Sequence, residues 1–260
     1  MQFNLIKEGG YEYIQHGKGP TLLLLHGLFG ALSNWNDVLK GFTDRYRVII
    51  PLMPIYKSSV HNPSVEGLAA FVSDFVHFQN LQDLHVVGNS LGGHIAQVFA
   101  LKEPEKVRTL TLTGSSGLFE SGMGQGYISR GNYEFIKERV AFTFYSPETA
   151  TRELVDEVFE IVNDASRAIR IVKIARAAQR QNLRTDIQHL RQPTCLIWGL
   201  NDNITPTYVA HEFNKLIPNS ELHFIDHCGH AAMMEQPEAF NQILSDFLER
   251  NTTPTLAHAS

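Results

Sequence analysis

The stretch Val86-Val87-Gly88-Asn89-Ser90-Leu91-Gly92-Gly93-His94 joins two hydrophobic patterns of different period. Upstream, Leu84 to Val87 is a short apolar run rich in β-branched residues, the signature of a buried strand. Downstream, Leu91 to Leu101 places Ile95, Val98 and Phe99 at helical spacing, with Ala96 and Ala100 among them. Strand, sharp turn and helix therefore meet at Ser90, inside the pattern Gly-x-Ser-x-Gly. A serine held there occupies a strained turn with its hydroxyl lifted clear of the sheet. Gly88 and Gly92 carry no Cβ, so strand and helix can approach closely around a residue expected to have positive φ. The first-turn N–H groups of the helix face back toward the serine, where an oxyanion would form. Such a pentad also arises by chance, and the flanking strand and helix are what give it weight.

Working outward from this stretch, the same alternation recurs. Gly9-Gly10 separates two runs of alternating character (2–8 and 11–16), which predicts an antiparallel edge hairpin. Thr21-Leu22-Leu23-Leu24-Leu25 is apolar throughout, as a central strand covered on both faces requires. It runs into His26-Gly27-Leu28-Phe29-Gly30, read as an oxyanion loop in which the backbone N–H of Leu28 pairs with that of Leu91. His26 reads as a brace for this loop rather than a base or metal ligand. A helix is expected from Trp35 to Phe42, capped by Ser33 or Asn34, then a strand from Tyr46 to Ile50. The apolar connection Pro51-Leu52-Met53-Pro54-Ile55 is a candidate pocket wall. Ser64 caps a helix to about Phe78, and Val107 to Thr113 is the next strand. His77 and His85 read as surface or packing histidines, because no spacing typical of metal ligands occurs.

The rhythm then changes. From Gly114 to about Leu190 strands vanish and three amphipathic helical segments follow a glycine-rich entry that includes Gly117, Gly122, Gly124 and Gly126. Alternation returns with a strand at Thr194–Trp198, a helix opened by Pro206, a last strand at Glu221–Asp226 and a final helix from Pro237 to Arg250. The division expected is an α/β core of residues 1–114 and 191–250, a helical lid at 115–190, and a disordered polar tail at 251–260.

A chain of 260 residues suits one such domain and can bury its core without disulfides or metals. Its net charge of −5, with no basic patch, argues against nucleic-acid or anionic-membrane partners. No apolar run reaches the length of a membrane span, and the N-terminus lacks the features of a signal peptide. Cys195 and Cys228 read as buried reduced thiols in apolar strand contexts, which suits a cytoplasmic location. Sequons at Asn203 and Asn251 are then chance matches.

Three chemically capable residues fall at the C-terminal ends of separate strands: Ser90, Asp202 and His230. Open α/β sheets place their sites at such ends. Serine needs an adjacent base to act as a nucleophile. His230 can supply that base, and Asp202 can fix its tautomer and stabilise the imidazolium. The order nucleophile, acid, histidine, together with His26-Gly27-Leu28-Phe29-Gly30, Gly88-Asn89-Ser90-Leu91-Gly92-Gly93, Gly199-Leu200-Asn201-Asp202 with Pro206, and Gly229-His230 with Glu235-Gln236-Pro237, resembles the α/β-hydrolase superfamily along almost the whole chain. The resemblance implies a mostly parallel eight-stranded sheet flanked by helices, with a helical cap.

A serine nucleophile separates the chain from the dehalogenases and epoxide hydrolases of that superfamily, which use aspartate. The Gly-Asn-Ser-x-Gly-Gly form is similar to hydrolases that cleave carbon–carbon bonds of ring-fission products, and also to small-ester hydrolases and cofactor-free haloperoxidase-like enzymes. The carbon–carbon hydrolases commonly have tryptophan after the histidine, where Ala231 stands here. Their lid arginine for the substrate carboxylate has only Arg167 as a candidate, and the usual Asp-x-x-Gly segment is replaced by Leu52-Met53-Pro54. Asn89 either contacts substrate or hydrogen-bonds a neighbouring loop, and Phe29 is a further candidate contact. The expectation is a hydrolase, monomeric or homodimeric, without metal or other cofactor. It acts on a small or medium acyl molecule, most simply a carboxylic ester. Carbon–carbon cleavage and a non-catalytic ligand receptor are the alternatives.

Overall fold

The strand β3 (Thr21–Leu25) shows how the sequence sets the architecture. Its four leucines are fully buried, and they alternate between two apolar clusters on opposite faces of one sheet. Leu23 and Leu25 join Ile49, Val86, Leu110, Leu196 and Trp198 on one face. Leu22 and Leu24 join Val48, Ile50, Val87, Cys195 and Ile197 on the other. Side chains alternate along a strand, so a run that is apolar at every position demands cover on both sides. The computed structural model of the chain describes residues 4–30, 32–57, 63–120 and 131–252.

The sheet has eight strands in the order β1 (Leu5–Glu8), β2 (Tyr11–His16), β4 (Arg47–Pro51), β3, β5 (Leu84–Asn89), β6 (Val107–Thr113), β7 (Thr194–Gly199) and β8 (Ser220–Ile225). The β1–β2 and β2–β4 pairings are antiparallel and all others are parallel. From β3 the chain steps outward to β4 on one side, then returns to β5 on the other. The strand order thus reverses between the C-terminal ends of β3 and β5, the place where open α/β sheets leave a crevice.

One face is covered by α2 (Val65–Phe78), α3 (Leu91–Lys102) and α7 (Thr207–Leu216), the other by α1 (Asn36–Phe42) and α8 (Pro237–Thr252). Ser64 caps α2 as expected, its hydroxyl accepting the Gly67 N–H at 3.1 Å. The cap position of α1 falls one residue later than expected. The helix is entered through a 3₁₀ turn (Leu32–Trp35), and Trp35 stands at the cap position without a side-chain bond. The connection Pro51–Ile55 is core rather than pocket wall, since Met53 and Ile55 are buried in the α2-side cluster. The final helix also runs two residues past Arg250, so Asn251 and Thr252 are ordered, whereas the rest of the expected tail lies outside the described residues.

Between β6 and β7 lie α4 (Tyr133–Ala141), α5 (Arg152–Asn163) and α6 (Ala165–Arg180). This segment shares the core's clusters. Ile136, Val140, Val155 and Val158 join one, while Ile174 and Ala178 join the other. Leu183 donates its N–H to the Gly117 carbonyl at 2.8 Å and ties the segment's two ends together. The glycines at 122, 124 and 126 lie outside the described residues. Among the described residues, no helix is long and apolar enough to cross a membrane.

Candidate active site

Strand β5 ends at Asn89 and α3 begins at Leu91, leaving Ser90 as the single hinge residue, with φ 55° and ψ −121°. A non-glycine residue in that region is strained and persists only where its surroundings hold it. Here the Ser90 N–H donates to the Thr113 carbonyl at 3.1 Å, and the Ser90 carbonyl accepts N–H groups from His94 and Ser116, each at 3.2 Å. The glycines beside it are required by packing. A Cβ on Gly92 would overlap the Leu25 carbonyl, and one on Gly88 the Gly92 carbonyl. Strand and helix meet backbone to backbone, with Ser90 raised at the crevice between β3 and β5.

Asp202 follows β7, and His230 follows β8 and the turn that contains Cys228. Both side chains are buried, and His230 Nδ1 lies 2.9 Å from Asp202 Oδ2. Asp202 is fixed by three further donors. Oδ1 accepts the Ile204 and Thr205 N–H groups at 2.8 Å each, and Oδ2 accepts the Thr205 hydroxyl at 2.8 Å. Four donors make a short, rigid carboxylate acceptor. With Nδ1–H donated to Asp202, Nε2 is the nitrogen left to act as a base. Burial works to depress the His230 pKa, but the Asp202 charge and hydrogen bond, with Glu120, outweigh it and leave it raised. Asp226, the neighbouring aspartate, is exposed and pairs with His227, so it has no part in this arrangement.

Ser90 and His230 open onto one cavity of about 800 Å³, its mouth included, whose wall also holds Leu28, Phe29, Asn89 and Ala231. The apolar remainder comes mainly from α4 and α5, through Ile136, Val140, Leu154 and Val158. No hydrogen bond joins Ser90 Oγ to His230 among the described residues. Such contacts commonly tighten only when substrate is bound. His26 braces the loop after β3, as expected. Its Nε2 accepts the Met53 N–H at 3.2 Å, its Nδ1 lies 2.9 Å from the Gly27 carbonyl, and burial pushes its pKa down to about 4. The Tyr56 hydroxyl anchors the same loop by donating to the Leu28 carbonyl at 2.7 Å.

Of the two polar substrate candidates, Asn89 takes the loop-bonding alternative and Arg167 falls off the cavity. Asn89 reaches the cavity wall, but its amide is committed to the fold, donating to the Thr113 and His230 carbonyls at 3.0 and 3.1 Å. It pins the histidine's loop to β6. Arg167 is not among the described residues that line the cavity, and its Nε lies 3.7 Å from Asp164 on the exposed start of α6. The arginine on the wall is Arg139 of α4.

Sequence reasoning missed several supports. Thr205 holds Asp202, and Glu235 accepts N–H groups from Gly229 and Ser146, both at 2.6 Å. The Thr143 carbonyl accepts the His230 N–H at 2.8 Å, so the helical segment grips the histidine loop directly. Glu120 faces His230, and burial raises its carboxyl pKa against the pull of the imidazole. His94 is buried with neither ring nitrogen bonded, and burial lowers its pKa to about 4. Only Glu235 carried a signal, as part of the Glu235-Gln236-Pro237 segment that follows Gly229-His230.

Cys195 and Cys228 are free and buried, with burial raising both pKa values, Cys228 to about 12. Cys228 sits in the turn after β8 rather than in a strand. The one described cluster with metal-ligand chemistry is Cys195, Glu221 and His223 across β7 and β8. There Glu221 already pairs with both His223 and Arg250, and the buried thiol resists ionisation.

The sequence and the fold have close parallels. The model of the family described as alpha/beta hydrolase matches residues 22–243. The chain is 32% identical, over 94% of its length and 93% of the other protein, to 2-hydroxy-6-oxononadienedioate/2-hydroxy-6-oxononatrienedioate hydrolase of Paraburkholderia phymatum. It is 24% identical, over 95% of its length and 82% of the other, to monoacylglycerol lipase ABHD6 of Bos taurus. Among solved structures, MGS-MChE2, an alpha/beta hydrolase enzyme from the metagenome of lagoon sediments of Mar Chica, Morocco, matches with a TM-score of 0.79 and 38% identity, covering 96% of this chain and 99% of that one. With the eight-stranded sheet and the serine turn in place, these matches establish that the chain belongs to the alpha/beta hydrolase family.

Proposed function

We propose that the protein is a cofactor-independent serine hydrolase of small or medium carboxylic esters, with Ser90, His230 and Asp202 as nucleophile, base and orienting acid. The observation that carries this reading is the His230–Asp202 pair, joined at 2.9 Å, with His230 sharing a cavity with the strained Ser90. A binding protein has no need of a buried, four-donor carboxylate behind an imidazole.

In the reaction, His230 Nε2 takes the Ser90 hydroxyl proton as Oγ attacks the ester carbonyl. The resulting oxyanion accepts hydrogen bonds from the backbone N–H groups of Leu28 and Leu91. The latter is the first residue of α3, whose N–H has no acceptor within the helix. His230 returns the proton to the departing alcohol, leaving an acyl-enzyme. Water then attacks, gives its proton to Nε2, and releases the acid as the proton passes back to Ser90. The helices α4–α6 act as a lid whose apolar side chains exclude bulk water and receive the acyl group. A burst of alcohol equal to the enzyme concentration, on mixing with an activated ester, tests the acyl-enzyme.

Likeness to the Paraburkholderia hydrolase favours a second reading, cleavage of a carbon–carbon bond in a ring-fission product. That chemistry requires a group to hold a substrate carboxylate and support tautomerisation. Arg139 of α4 stands on the wall and could hold a carboxylate, but the Asn89 amide is occupied, Arg167 lies off the cavity, and Ala231 leaves the wall beside His230 without an aromatic ring. Ester cleavage needs none of these. A short p-nitrophenyl ester should therefore exceed a ring-fission dienoate in kcat/KM, and a tenfold preference for the dienoate would reverse the ranking.

A further inference from the structure

Arg139 is the only residue with a permanent charge among the described residues that line the cavity. It sits on α4 between Ile136 and Val140, which supply apolar wall on either side. Four cations of the helical segment have carboxylate partners: Lys137 with Glu134, Arg152 with Asp156, Arg167 with Asp164 and Arg184 with Glu212. Lys173, Arg176 and Arg180 have none among the described residues, but they are not among those that line the cavity. Arg139 has none among the described residues. Its guanidinium lies instead against two rings, 5.4 Å from the centre of Phe135 and 6.0 Å from that of Phe142.

Arg139 is exposed at the cavity rim, and its setting differs from that of an ordinary surface arginine in three respects. The rings restrict the guanidinium and so reduce the entropy lost when it binds a ligand. Stacking uses the flat faces of the group and leaves its N–H edges free to donate. The apolar cavity beside it screens charge less than open water does. A cation with no carboxylate partner among the described residues, at the edge of a pocket whose other described lining residues carry no permanent charge, selects for an anion on whatever enters.

We propose that Arg139 receives a carboxylate carried by the substrate, separated from the scissile ester by an apolar chain lying along Ile136, Val140 and Val158. The natural substrates are then hemiesters of dicarboxylic acids rather than neutral esters. This assignment rests on the ester-hydrolase reading above and names its substrate class. Arg139 lies on a different helix from Arg167.

The test compares p-nitrophenyl hemiesters of succinate, adipate and suberate with neutral p-nitrophenyl esters of matching length. For the best hemiester, its kcat/KM relative to the neutral isostere should fall about tenfold in Arg139→Met, mainly through KM, as expected for loss of one charge-assisted pair. Arg139→Lys should keep part of the preference. Lys137→Met, which removes the same charge from the outer face, should keep all of it. A hemiester-to-neutral ratio equal within twofold in wild type and Arg139→Met overturns the proposal while leaving the hydrolase reading intact. If wild type turns over no ester, that reading fails, and calorimetry with monomethyl adipate still decides the role of Arg139. Binding to Ser90→Ala should be about tenfold tighter than to Ser90→Ala/Arg139→Met, and equal affinities would refute the assignment.

Discussion

Replacing Gly114 by alanine perturbs the proposed machinery without altering any group that takes part in it. Gly114 follows β6 with φ +49°, a conformation that costs an L-residue about 1–2 kcal/mol. Its new Cβ would lie 2.7 Å from the His230 carbonyl oxygen, 2.9 Å from His230 Nδ1 and 3.1 Å from Asp202 Oδ2. Restoring ordinary contact at 3.4 Å requires these atoms to move by about 0.7, 0.5 and 0.3 Å. All three displacements fall on the one pair that sets the imidazole's tautomer and aim. A misplacement of about 1 Å costs roughly 10² in rate, so kcat should fall about 10- to 100-fold. Backbone strain and overlap together should destabilise by about 2–3 kcal/mol, a drop of about 5–10 °C in Tm for a chain of this size. Gly10→Ala is the matched control, since φ is +85° there but no atom lies within 4 Å of the added Cβ. It should lose about 1 kcal/mol of stability and no activity. Initial rates on p-nitrophenyl acetate, measured well below both melting points, separate the effects. A folded Gly114→Ala protein with wild-type kcat would refute the role assigned to the His230–Asp202 pair.

Three further outcomes follow from the same geometry. In the proposed reaction the neutral form of His230 is the base, and Asp202 raises its pKa, so kcat/KM should be lost as pH falls through a midpoint above the ordinary imidazole value of 6.5. Asp202→Asn should lower that midpoint and cut kcat on the order of 10⁴-fold, as in the best-studied triad; an unchanged profile would reassign the acid. Thr205→Val removes the hydroxyl donated to Asp202 Oδ2, and chemical denaturation should register a loss of about 1.5–3 kcal/mol. Asn89→Ala strips the amide donor from the His230 carbonyl, and should cost about 1–3 kcal/mol and slow ester and dienoate substrates alike; a loss confined to the dienoate would make Asn89 a substrate ligand.

The parts of this molecule legible in the sequence are those fixed by short-range patterning. The all-leucine strand, the Gly-x-Ser-x-Gly turn and the Ser64 cap each declare themselves through local period or backbone chemistry, and the structure places all three as read. Less legible were features decided by which surfaces meet in space. The apolar run Pro51–Ile55 suits a pocket wall and a core equally well, and only the packing of α2 resolves it. Arg139 and Arg167 are alike in sequence, each on an amphipathic helix, yet one reaches the cavity and the other is held at a helix start by Asp164. Asn89 carries donors that fit either a ligand or a loop, and the arrival of the His230 carbonyl at 3.1 Å, from 141 residues away, decides between them. The triad candidates were legible because strand ends are countable. Their supports at Thr143 and Glu120 come from the helical segment, whose path the period of its helices does not determine.

The central claim is that Ser90 is a nucleophile activated by His230. Treating the folded protein with a fluorophosphonate and mapping the adduct by peptide mass spectrometry tests it most directly. The account predicts one phosphonyl group per chain on Ser90, stoichiometric loss of esterase activity, and no labelling of a folded Ser90→Ala variant. Undiminished labelling of Ser90→Ala, or an adduct on Ser115 or Ser116 instead, would contradict it.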